Sequence, residues 1–126
     1  GENSMRVETT IAPKNSVILL MGSKRAEIPA SLQGNLVAST SSCIAIGTLS
    51  ESEGSTRIIL TREASTSDRP KLLGFEGTLL APSLTLAVYS VELEPLLEID
   101  VRSERPHIRV FVDHPSEPEV VEIEAQ

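Results

Sequence analysis

Residues 35–61 read Asn35-Leu36-Val37-Ala38-Ser39-Thr40-Ser41-Ser42-Cys43-Ile44-Ala45-Ile46-Gly47-Thr48-Leu49, then Ser50-Glu51-Ser52-Glu53-Gly54-Ser55, then Thr56-Arg57-Ile58-Ile59-Leu60-Thr61. Two runs rich in β-branched side chains flank a short polar segment that contains Gly54, a residue free to adopt positive φ. That pattern predicts a β-hairpin at the core of the fold. From Cys43 to Leu49 the run is apolar almost without a break, so its strand is expected to be covered on both faces. The remaining strands must then be arranged around it.

Upstream, residues 6–11 alternate Val7, Thr9 and Ile11 against Arg6, Glu8 and Thr10, a strand with one buried face that Pro13 ends. Residues 16–21 form an apolar strand closed by Gly22 and the basic pair Lys24-Arg25, which suits the blunting of an edge. Residues 27–34 contain Pro29 and Gly34 and are too short and interrupted for a helix, so they read as a loop. Downstream, residues 63–70 are polar and aperiodic, the expected mobile, protease-sensitive loop. Residues 71–80 are split by Gly74 and Gly77, which predicts a bulged or edge strand. Gly-Thr-Leu occurs at both Gly47 and Gly77, a match too short for an internal repeat.

The last third alternates most clearly. Segments 84–91, 96–102, 107–113 and 119–124 are separated by short turns that each contain proline, which predicts a C-terminal meander. Leu97, Ile99, Val101, Ile108, Val110, Val112, Val121 and Ile123 form its core face. The expected fold is all-β: a two-sheet antiparallel β-sandwich, or a partly closed barrel, of about eight or nine short strands. The first four residues resemble an expression remnant ahead of Met5, and residues 5–126 suit a single sandwich domain.

Composition narrows the function. Phe75, Tyr89 and Phe111 are the only aromatic residues, which argues against stacking sites for sugars or single strands. The net charge of −7 argues against nucleic acid, which demands a basic stripe. No apolar run approaches the ~20 residues of a membrane helix, and a lone cysteine suits a reducing compartment. A soluble, cytoplasmic protein is expected. The charge is also uneven: eight acidic and eight basic side chains precede residue 92, and ten acidic against three basic follow.

By strand alternation Glu98, Asp100, Glu122 and Glu124 lie opposite the core, beside Arg102, His107, Arg109 and Phe111. Such a face either keeps the protein soluble or docks a basic protein partner through steering carboxylates. Phe111 would serve as the apolar anchor of that surface, or pack sideways on Leu96 and Val120. Glu98, Asp100, Phe111, Glu122 and Glu124 are therefore the candidate partner-binding residues.

Catalytic chemistry finds less support. Cys43 has His107 and His114 as formal partners but sits in an apolar run, where a thiol is inert. The two histidines, with Asp113 and Glu117 close by, match no recognised metal spacing. There is no Gly-x-Ser-x-Gly elbow beside the serines at 39–42 and no phosphate-cradling glycine loop. No catalytic residue, cofactor or metal site is expected.

No family is identified. In size and charge the chain is similar to small, acidic, all-β bacterial inhibitors and immunity proteins, the competence-type nuclease inhibitors among them. That likeness of class rests on composition and on Arg109-Val110-Phe111-Val112 before a proline-rich turn, and no motif transfers residue by residue. It implies a non-enzymatic protein-binding module, an acidic inhibitor or regulator of a basic partner such as a nuclease. The alternatives are a self-associating accessory domain, as a homodimer, and a small ligand- or metal-binding protein using His107 and His114.

Overall fold

The computed structural model describes residues 6–63 and 69–126. In chain order its strands are β1 (Arg6–Ile11), β2 (Val17–Met21), β3 (Val37–Ser39), β4 (Cys43–Gly47), β5 (Thr56–Thr61), β6 (Leu72–Thr78), β7 (Thr85–Tyr89), β8 (Pro95–Asp100), β9 (His107–Val112) and β10 (Val120–Ala125). Sheet A has the order β1-β5-β10-β9-β6 and sheet B the order β3-β4-β2-β7-β8. The all-β, two-sheet class matches expectation. The strand beyond the expected count is β3, three residues that pair Val37 with Ile46 and Ser39 with Ile44. The expected remnant, Met5 and the centre of the expected mobile loop, residues 64–68, lie outside the described residues.

Three pairings differ from expectation. First, β4 and β5 do not form a hairpin. Both edges of β4 are taken by β2 and β3, and both edges of β5 by β1 and β10, so the stretch passes from one sheet to the other. The connection is tied to other elements instead: Thr48 N donates to the Ser16 carbonyl and Leu49 N to the Pro118 carbonyl. Apolar periodicity marks a strand but not the sheet it joins. Secondly, the C-terminal meander is two hairpins, β7–β8 in sheet B and β9–β10 in sheet A, joined by a crossing between sheets. Thirdly, the pairing is antiparallel except between β5 and β10, which run parallel.

The expectation that β4 is covered on both faces holds, because all five of its residues are buried. Its inward face, Ile44 and Ile46, joins Ile18 and Leu20 against Ile58, Leu60, Val110 and Ile123 of the facing sheet. Each such side chain contributes about 1.5–3 kcal/mol by leaving water. Its outward face is covered by the connection of residues 22–36. That connection lays Ala26 and Leu32 on a second cluster of Leu19, Met21, Cys43, Ala45, Ala87 and Tyr89.

Strand directions gather four connections, residues 12–16, 48–55, 90–94 and 113–119, at one end of the sandwich. None of the described helical turns is long and apolar enough to cross a membrane.

Candidate functional site

Alternation along β10 sends Val121, Ile123 and Ala125 into the core and Glu122 and Glu124 to the outer face of sheet A. The register then sets Glu122 between Ile59 and Phe111, and Glu124 between Thr61 and Arg109. Both carboxylates point away from the core, as expected, yet each is only 1% exposed. Arginines cover them. Glu124 accepts from Arg109 at 2.7 Å and from Arg69 at 2.9 Å. Glu122 meets Arg6 only at 3.5 Å, and its Oε2 has no hydrogen-bond partner. Burial pushes the Glu122 carboxyl above the usual carboxylate value against the pull of Arg6, with the like charge of Glu124 adding to the rise and Arg69 opposing it.

Phe111 is buried as well. Its neighbour across β10 is Glu122, and the guanidinium of Arg69 lies 4.0 Å from its ring centroid, with that of Arg109 at 5.3 Å. The ring is thus buried and capped by two cations. Three of the five candidate residues therefore form an internal network. The other two, Glu98 and Asp100, project from β8 on the opposite sheet, with Glu98 exposed and Asp100 half-buried. The single acidic face expected from alternation is two faces, because β8 and β10 belong to different sheets.

The remaining sequence candidates separate too. His107 opens β9 and pairs with Glu76 through Nε2 at 2.7 Å. His114 lies beyond the other end of β9, where its Nδ1 accepts from the backbone N–H groups of Ser116 and Glu117. Seven residues of extended chain put the two histidines roughly 20 Å apart, so they share no site. Among the described residues no cluster of His, Cys, Asp and Glu is placed to hold a metal ion. The Cys43 thiol is fully buried, and burial pushes it up to about 11, which leaves it protonated and unreactive.

Exposed acids gather elsewhere. The end formed by residues 12–16, 48–55, 90–94 and 113–119 carries Glu51, Glu53, Glu92, Glu94, Asp113, Glu117 and Glu119, all exposed. Hydrogen bonds and one ion pair stitch these loops together: Leu49 N to the Pro118 carbonyl, Thr48 N to the Ser16 carbonyl, and Lys14 to Glu92 at 3.5 Å. The cations nearby are Lys14, Arg57 and Lys71, and Arg57 holds Glu8. Glu51 and Glu53 come from the formally neutral part of the chain, so a count of charge along the sequence does not reveal them. The pairing of 48–49 with 16 and 118 brings them in.

No family model matches the chain, and no curated protein matches it in sequence. Among solved structures it is similar to ComJ from Bacillus subtilis, described as an inhibitor of the DNA-degrading activity of NucA. The similarity spans 98% of this chain and 96% of that one, with a TM-score of 0.65 at 10% sequence identity. At that identity the likeness is one of fold.

Proposed function

We propose that this chain is a non-enzymatic, protein-binding inhibitor whose target is a basic, nuclease-like protein. The observation that carries the reading is the fold shared over nearly the whole of both chains with an inhibitor of a DNA-degrading protein. Physical chemistry supports it. A protein that binds DNA does so through Lys and Arg that neutralise phosphates. An acidic surface satisfies the same cations, steers that partner electrostatically and denies the surface to DNA. The acidic end supplies the long-range field, and Glu98 and Asp100 extend it over sheet B. Glu122, Glu124 and Phe111 are held in the buried network on the outer face of sheet A. A reducing, cytoplasmic setting suits the single buried thiol.

The test is functional. Purified protein added to an extract of its host, together with plasmid DNA, should slow degradation of the plasmid, less so as salt is raised. Immobilised protein should retain the DNA-degrading activity. Unchanged degradation with no activity retained would reject the reading.

A second reading is self-association through the edge strand β6, where Leu72 and Leu73 are 45% and 51% exposed. Light scattering distinguishes the two: a dimer lost on Leu73→Lys favours it, and a monomer at all concentrations removes it.

A further inference from the structure

The connection of residues 22–36 leaves β2 and returns over the outer face of sheet B to β3. It is pinned near both ends. Glu27 N donates to Ser42 Oγ at 2.8 Å and Thr40 Oγ1 to the Glu27 carbonyl at 2.6 Å, while Gly47 N donates to the Leu36 carbonyl at 2.8 Å. Between these pins, among the described residues, no backbone hydrogen bond ties residues 28–31 to the sheet. A groove of about 410 Å³ runs there, floored by Val17, Leu19 and Ala45 and walled by Ile28, Pro29 and Leu32.

Its surroundings are strained and acidic. Five described non-glycine residues have left-handed backbone, and four of them border this region: Asn15 (φ 60°), Ser16 (φ 57°), Gln33 (φ 52°) and Leu93 (φ 63°). Such conformations cost energy in residues that carry a Cβ, and they concentrate at binding sites. Glu92 and Glu94 flank Leu93 beside Val91 of the groove, and Glu98 projects from the same outer face. Of the cations around it, Lys14 is held by Glu92, and the exposed Lys24 and Arg25 follow the Met21 end of β2, away from Val17 and Asn15 of the groove.

We infer that this groove is the anchor point for the protein partner, and that it takes one apolar side chain, Leu or Phe, from a partner segment whose flanking residues are Lys or Arg. The inference rests on the reading of the chain as an inhibitor of a basic protein. An apolar pocket within a charged rim is the arrangement of an interface hot spot: burial of the anchor supplies the lifetime of the complex, and the charges supply its encounter rate and choice of partner. Ile28, 41% exposed in the free protein, gains cover when the groove is filled.

Two measurements test this and separate its failure from that of the functional reading. In the first, immobilised wild-type protein, Ala30→Trp and the pair Glu92→Gln/Glu94→Gln are compared for retention of host DNA-degrading activity. Ala30 is exposed, so the Trp variant should fold while its indole fills the groove. Dissociation should then quicken by roughly tenfold or more, as for loss of a hot spot, and the Gln pair should slow association at low salt. Retention equal to wild type in both variants overturns the groove and leaves the inhibitor reading standing. In the second, the peptide acetyl-Arg-Phe-Lys-amide is titrated into the 15N-labelled protein. Shifts centred on Leu19, Ala30, Leu32 and Ala45, absent in Ala30→Trp, support the groove even if no nuclease is retained. Shifts scattered over the 113–119 loop, or none, count against it.

Discussion

Glu122 and Glu124 stand two residues apart on the same outer face of β10, each 1% exposed, but their charges are answered differently. Glu124 has Arg69 and Arg109 on its two oxygens, whereas Glu122 has one distant contact to Arg6 and an orphaned Oε2. Opposite outcomes follow from the same substitution. Glu124→Gln leaves two partly buried arginines without their carboxylate and should lower stability by roughly 1–3 kcal/mol. Glu122→Gln removes a buried charge that is poorly paired and should leave stability unchanged or raise it. Urea denaturation of the two variants beside wild type measures this.

The raised Glu122 carboxyl adds a pH signature. The folded protein holds this proton to higher pH than the unfolded chain does, so it binds more protons between the ordinary and the raised value. By linkage, this group's contribution to stability falls as pH rises through that window and is flat above it. The stability of Glu122→Gln relative to wild type should therefore grow from about pH 4.5 upward and then level off. A difference that does not change with pH would contradict the burial of an ionisable Glu122.

Arg69 caps Phe111 and also binds Glu124. A double-mutant cycle of Arg69→Met and Phe111→Leu should return a coupling of about 0.5–1 kcal/mol for the cation over the ring. Additive effects would mean that Arg69 acts through Glu124 alone.

Gly22 closes β2 against the backbone of residues 80–81. A Cβ there would meet the Leu80 carbonyl oxygen and lie 2.6 Å from Ala81 Cα, and backbone cannot give way as a side chain can. Gly22→Ala should cost on the order of 1–3 kcal/mol, read as a lower denaturation midpoint with an unchanged slope.

Cys43, with its thiol pushed up to about 11, should resist a thiol reagent at pH 8 and react only when the protein unfolds. Labelling that keeps pace with the reagent in native buffer would show that the cover over sheet B opens by itself.

The all-β class, the burial of β4 and the inward sets of β8, β9 and β10 were legible because a strand's side chains alternate with period two and the core must be apolar. What could not be read was which strands share a sheet. Asn35 to Thr61 has every local mark of a hairpin, yet β4 pairs with β2 and β3 in one sheet and β5 with β1 and β10 in the other. The site suffered the same limit. Alternation placed Glu98 and Glu122 correctly on outer faces, but their meeting required β8 and β10 to be neighbours. Nor does alternation reveal that Arg69, from a segment without periodicity, covers Phe111 and Glu124. The groove over sheet B was hidden for a related reason, since residues 22–36 have no regular pattern and their role comes from where they are pinned.

The position of β10 also bears on how the chain is made. Among the described strands it is synthesised last, yet it lies at the centre of sheet A, between β5 and β9. Until it emerges, β1–β5 and β6–β9 are separate pairs, and the parallel β5–β10 ladder joins Arg57 to Val120, half the length of the sequence away. Closing so long a loop before its contacts form is slow. Assembly of sheet A should therefore wait until residues 120–125 have left the ribosome, and a ribosome stalled before Val120 would hold two unjoined half-sheets with open edges exposed to chaperones and aggregation.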